Sequence, residues 1–149
     1  MTAPRPVTVL VADDDPDDRL MTQKAFEQAN LDADLRFVQD GEELLDYLHR
    51  RGGYADPARS PRPAQVLLDL NMPKKDGREA LREMRAEPTL RRIRVVVLTT
   101  SKSEEDVSAS YEISAASFIT KPAKFSDLVE VVRVLGRYWL ETVVLPSEG

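Results

Sequence analysis

Residues 11–18 read VADDDPDD, five aspartates in eight positions at the end of an apolar run. Like charges this close repel one another, so a fold keeps them only where something local stabilises them or something cationic occupies them. The two causes separate along the segment. Asp15 precedes Pro16, which suits a helix N-cap followed by proline at the first helical position, and Asp17 and Asp18 then fall in the first turn beside the positive end of the helix dipole. Local structure accounts for those three. It does not account for Asp13 and Asp14, which end a buried strand where unpaired carboxylates are costly. Asp69, in QVLLDLNMPKKDG, also ends an apolar run. Three carboxylates in one crevice need a cation, and with oxygen donors and no cysteine in the chain, Mg²⁺ is favoured over zinc or copper.

Two further residues end apolar runs, Thr99 in VVVLTTS and Lys121 in SFITKP. A hydroxyl and an ammonium beside a metal-bound carboxylate make an anion site. The metal and Lys121 would neutralise phosphoryl oxygens, and Thr99 would donate a hydrogen bond. Asp69 could then act as a nucleophile and form an acyl phosphate.

These residues converge only if the elements bring strand ends together. Short β-branched runs at 7–12, 34–38, 65–70, 93–99 and 117–120 alternate with helical periodicity near 16–29, 41–51, 77–86, 104–115 and 126–144. Three of the runs are apolar nearly throughout, as in parallel strands covered on both faces. The pattern predicts an α/β protein. In a doubly wound five-stranded sheet of order 2-1-3-4-5, the first and third strands are neighbours, and the gap at their carboxyl ends is the switch point where ligands bind. Asp13, Asp14 and Asp69 would meet there.

The chain has 149 residues with 42% hydrophobic composition, enough for one domain with a real core. Its net charge of −5 argues against a broad nucleic-acid surface. The absence of cysteine excludes a disulfide framework and thiolate metal sites. No apolar run reaches the length of a membrane span and the N-terminal stretch lacks a signal-peptide core, so a cytoplasmic protein is expected. The segment 51–64, rich in Pro, Gly and Arg, reads as a long exposed loop before the third strand.

Taken together and in order, ADDDP with Asp13 and Asp14, LLDLNMPKKDG with Asp69, the LT of Leu98 and Thr99, and FITKP with Lys121 resemble the response-regulator receiver domain of two-component signalling. The match spans about residues 6–137, leaving a C-terminal helical extension at 138–149. The resemblance implies a single receiver domain of flavodoxin-like fold whose Asp69 accepts a phosphoryl group from a sensor histidine kinase. It implies Mg²⁺ ligation by Asp14, Asp69 and the backbone carbonyl of Asn71, with Asp13 acting through a water. Thr99 and Phe118 would form the switch pair, and phosphorylation would redistribute the face made by the 104–115 helix, the fifth strand and the last helix. Position 118 is Phe where many members have Tyr, which keeps a ring rotation but removes a hydroxyl. The bond before Pro122 is often cis in this family.

Asp69 as a helix cap is disfavoured because Asp76 and Glu79 supply the next helix with its own capping box. Lys121 alone would be a solvated lysine, Phe118 alone a core residue, and Thr99 alone an ordinary strand end. His49, the only histidine, sits near a helix C-terminus where positive charge is favoured and receives no catalytic role. An aspartyl-phosphate hydrolase would need an acid two residues beyond its nucleophile, where this chain has Asn71. A phosphorylation-independent binding module is opposed by the complete set of five residues. The expected protein is therefore a phosphoacceptor signalling domain and not an enzyme.

Beyond the last helix too few residues follow for an output domain, so output is expected through partner binding or dimerisation. That helix carries one apolar stripe at Leu128, Val132, Leu135 and Trp139 and a second at Val131, Val134 and Tyr138. A surface helix needs only one, so the second predicts a homodimer interface through the helix and its extension. The extension and the 51–64 loop also resemble the small regulators that serve phytochrome-type histidine kinases. No nucleic-acid or membrane partner is expected.

Overall fold

The structure, a computed structural model, describes residues 7–99 and 117–137. Strand β1 (Val7–Ala12) leads into α1 (Pro16–Gln28), β2 (Ala33–Val38), α2 (Gly41–His49), β3 (Gln65–Leu68), α3 (Gly77–Ala86), β4 (Arg94–Thr99), β5 (Ser117–Thr120) and α4 (Phe125–Gly136). The strands form one parallel sheet of order β2-β1-β3-β4-β5. The expected helix at 104–115 and the continuation of the last helix beyond residue 137 lie outside the described residues.

Period-two alternation in the strands divides the core between the two faces of the sheet. Leu10, Ala12, Val66, Leu68, Val95 and Val97 pack with Leu44, Leu48, Leu81 and Met84 of α2 and α3. Val9, Val11, Leu67 and Val96 pack with Ala25 and Phe26 of α1 and with Val129, Val132 and Leu135 of α4. Both faces are covered, which is why the central strands read as unbroken apolar runs.

Aspartate caps set three helix starts. Asp15 accepts from the Asp17 and Asp18 amides, Asp40 from that of Glu43, and Asp76 from that of Glu79. Each satisfies an amide that the first turn would leave unpaired.

Three expectations change in detail. The third strand ends at Leu68 and not at residue 70. The Asp69 amide still donates to the Ala12 carbonyl at 3.0 Å, but the Asp69 carboxylate accepts from the Asn71 amide at 2.9 Å, and this local bond turns the chain out of the sheet. The 51–64 segment is mostly exposed yet fastened: Tyr47 donates to the Pro61 carbonyl at 2.7 Å, and the buried Ser60 hydroxyl donates to the Tyr54 carbonyl at 2.8 Å. A short 3₁₀ turn at Gly52–Tyr54 lets the Tyr54 ring meet that of Tyr47 at 5.2 Å. The Lys121–Pro122 bond is trans, the form that an X–Pro bond prefers by about 0.5–1 kcal/mol.

On α4, Val132 and Leu135 face the core and Leu128 is half-buried, as the first stripe predicts, and Val129 joins them. In the second stripe Val131 is half-buried and Val134 is 64% exposed. Trp139 and Tyr138 lie outside the described residues.

Candidate functional site

The switch point forms where the chain leaves β1 and β3. Asp13 follows the last residue of β1, and its amide donates to the Val38 carbonyl of β2 at 3.1 Å. One carboxylate oxygen of Asp13 accepts from the Asp15 amide at 3.0 Å. Asp14 is exposed at the rim, while Asp13 and Asp69 are buried. The three offer carboxylate oxygens that all lie within 4.8 Å of one another.

A cation of the chain itself reaches into this cluster. The Lys121 Nζ, just past β5, donates to Asp13 Oδ2 at 2.6 Å, Asp18 Oδ2 at 2.8 Å and Asp69 Oδ2 at 3.2 Å. Its side chain is only 14% exposed. An ammonium has three protons, so these bonds use its full donor capacity. Burial by itself would lower the Lys121 pKa, but the bonds to Asp13 and Asp18 and the charges of Asp13 and Asp69 outweigh it and hold the ammonium above the ordinary lysine value. Burial pushes the Asp13 carboxyl above its usual range, against the opposing Lys121 hydrogen bond, Asp15 amide and Lys121 charge. Lys121 is charged, and one ammonium shared among these carboxylates leaves Asp13 incompletely compensated.

That electrostatic state fits a further hard cation. The donors are all oxygen, two come from buried carboxylates, and the third faces solvent where water can complete a coordination shell. Asp13, Asp14 and Asp69 could hold such an ion.

The other expected residues divide. Asn71 is exposed, and its amide is spent on Asp69 Oδ1. The backbone of Thr99 ends β4 opposite Thr120, but its side chain lies outside the described residues. Phe118 is half-buried against the apolar cluster on the α2 and α3 face. His49 occupies the last turn of α2, as the dipole argument predicts.

Two residues at the site escape the sequence argument. Asp18 sits in the first turn of α1 as expected, yet its carboxylate turns to Lys121. Arg19 donates from Nη1 to the Asp13 carbonyl at 2.7 Å and fastens α1 to the end of β1. For Asp18 the available signal is only its place in the first turn of α1, shortly after the Asp13–Asp14 pair. The helix-start explanation accounts for the residue type and hides that signal.

Residues 9–133 match the response regulator receiver domain family. The chain belongs to that family. This receiver is 44% identical to the response regulator Rcp1 of Synechocystis sp. over 142 residues, covering 95% of both chains. The solved structure of the phosphorylated cyanobacterial phytochrome response regulator RcpA superposes with a TM-score of 0.87 at 40% identity, covering 95% of this receiver and 99% of that chain. The Mn²⁺-bound form of Rcp1 gives 0.85 at 42% identity, covering 95% and 100%. The receiver is thus similar along nearly its whole length to a regulator solved phosphorylated and to one solved with a divalent metal.

Proposed function

We propose that this receiver takes a phosphoryl group onto Asp69 from a phosphohistidine of a sensor kinase, in a reaction that depends on Mg²⁺. A carboxylate oxygen of Asp69 forms the new O–P bond as the P–N bond breaks, and the electron pair of that bond stays with the leaving imidazole. The observation that carries the reading is the single Lys121 ammonium bridging Asp13 and Asp69 at the strand ends. It marks where phosphoryl oxygens gain a cation when Asp69 gives up its own charge to the acyl bond.

The ion would be held by Asp14, Asp69 and the Asn71 carbonyl, with Asp13 acting through a water. Bound there, Mg²⁺ supplies charge neutralisation for the incoming phosphoryl oxygens. The chain's own residues do the rest. Arg19 and the Asp15 amide hold Asp13 in place, Lys121 orients the phosphoryl group, and Thr99 with Phe118 carries the change to the face containing β5 and α4. Phe118 is half-buried against the apolar cluster, so an inward turn of its ring would change its burial.

The kinase is of phytochrome type, a reading supported by the full-length similarity to RcpA, a phytochrome response regulator. The output is a homodimer formed through α4 and the 138–149 extension, supported by the exposure of Val134 on a helix whose opposite side is already packed. The protein acts in the cytoplasm and turns over no substrate of its own beyond loss of its phosphoryl group. No helix among the described residues is long and apolar enough to cross a membrane.

The test is intact mass after incubation with Mg²⁺ and acetyl phosphate. The parent gains one labile phosphoryl group and Asp69→Asn gains none. A variant that takes up one group at the parent rate removes Asp69 as acceptor, and no adduct in a parent that binds Mg²⁺ turns the reading to a phosphorylation-independent module.

A further inference from the structure

The third acceptor of the Lys121 ammonium has no place in the reading above. A residue in the first turn of a helix with acidic caps needs no side-chain partner, and the Asp18 amide already donates to the Asp15 carboxylate at 3.4 Å. Its own carboxylate nevertheless reaches Lys121 Nζ at 2.8 Å, closer than the 3.2 Å to Asp69.

We infer that Asp18 is a positioning residue for phosphoryl transfer, fixing the Lys121 ammonium from the rim side, with Asp13 taking a second proton and the third facing the reacting carboxylate of Asp69. The inference rests on the acceptor reading of Asp69. Three features of the geometry carry it.

The first is the number of bonds. An ammonium on a four-carbon stem has many rotamers, and one anchor does not fix its direction. Asp13 and Asp18 hold it from two different elements, the end of β1 and the first turn of α1.

The second is persistence. When Asp69 is phosphorylated its carboxylate charge is lost from the Lys121 contact, and a bound metal draws on Asp13. Asp18 is absent from the cluster that could hold a metal and is not the acceptor, so neither event takes its carboxylate from Lys121.

The third is mechanical support. Asp18 is followed by Arg19, which is tied to the Asp13 carbonyl. Adjacent residues of α1 thus clamp that helix to β1 and to the β5–α4 connection at once. Asp18 and Lys121 also form part of the wall of a cleft of about 140 Å³ that continues past Thr22, Pro122 and Phe125.

Exposed ion pairs contribute little by themselves, and the Asp18 side chain is 42% exposed. The predicted effect is accordingly on geometry in the transition state and not on folding. A small displacement of a group that orients the transferring phosphoryl slows the step, while binding of the donor is nearly unaffected.

The experiment compares full-length parent, Asp18→Ala and Asp18→Asn with Mg²⁺ over a series of acetyl phosphate concentrations, following the adduct by intact mass. Asp18→Ala should lower the limiting rate about tenfold, with the half-saturating donor concentration within about twofold of the parent. Asp18→Asn, whose amide oxygen accepts the same hydrogen bond, should recover most of the rate. Selective ¹⁵N labelling of lysine gives an independent readout: the Lys121 ammonium resonance should shift in Asp18→Ala and lie near its parent position in Asp18→Asn. A limiting rate in Asp18→Ala that is unchanged or raised overturns the inference, and so does an Asn variant no better than Ala. Failure of the acceptor reading is separate, since it shows as an adduct on Asp69→Asn at the parent rate or as no adduct on the parent itself.

Discussion

A Cβ at position 77 would lie 2.4 Å from the Asp69 carbonyl oxygen and 2.8 Å from the Leu70 Cα. The Gly77 amide also donates to the Leu70 carbonyl at 3.0 Å, so α3 begins in direct contact with the backbone that presents the acceptor. Nothing in that contact is the far end of a flexible side chain. Gly77→Ala should therefore cost about 2–3 kcal/mol, read as a lower urea midpoint with an unchanged slope. It should also slow phosphorylation, because the displaced atoms belong to Asp69 itself. Gly41 is held in the same way, its amide donating to the Lys75 carbonyl at 2.9 Å from within the start of α2. The site residues at this scale were unequally legible. Asp13, Asp14 and Asp69 stand out because carboxylates at the ends of apolar strands have no local explanation, and Lys121, which alone reads as a solvated lysine, joins them through its place at the end of the fifth apolar run. Asp18 has a local explanation, and a residue whose type is explained twice over shows only its commoner role.

Among the elements, the apolar strands were the most legible, because burial on both faces removes any need for polar residues within them. The end of β3 was less so: a side-chain bond to the Asn71 amide ends the strand, and apolar content at Leu70 says nothing of it. The 51–64 segment was read from composition as exposed, whereas its anchors are single side chains such as Tyr47 that belong to a neighbouring helix. Tyr47 yields a prediction of its own. Burial pushes its phenol up to about 12, above the value of about 10 in an unfolded chain. The folded state therefore keeps a proton that the unfolded state loses. The stabilisation is complete below pH 10 and is lost as the pH rises toward 12, by about 2–3 kcal/mol. Tyr47→Phe should be less stable by about 1 kcal/mol at neutral pH through loss of the bond to Pro61, and should lack this part of the alkaline decline. Denaturant titrations of both proteins at pH 8, 10 and 11.5 measure the difference.

For the whole molecule, the acidic cluster and the face proposed for assembly lie on different sides of the fold. The acidic cluster occupies the carboxyl ends of the strands, and Val134 lies on the outer side of α4, whose inner side covers the β1, β3 and β4 face. A two-chain assembly built on α4 is therefore separable from acceptance. Val134→Asp should give a one-chain mass by light scattering at micromolar concentration where the parent gives two, with its phosphorylation rate unchanged. A two-chain mass in both would place the interface elsewhere. The order of the strands followed from the doubly wound pattern, which makes the first and third strands neighbours, and the structure pairs β1 with β3 accordingly.

The Lys121 ammonium bonds to a partner 108 residues earlier in the chain and to another 52 residues earlier. No local segment contains the pieces of the site. A chain emerging from the ribosome presents Asp69 well before β5 exists, and during that interval the carboxylate stands without its cation and its neighbouring strand order is incomplete. The full set of charged groups at the switch point is thus assembled only when the last strand is in place.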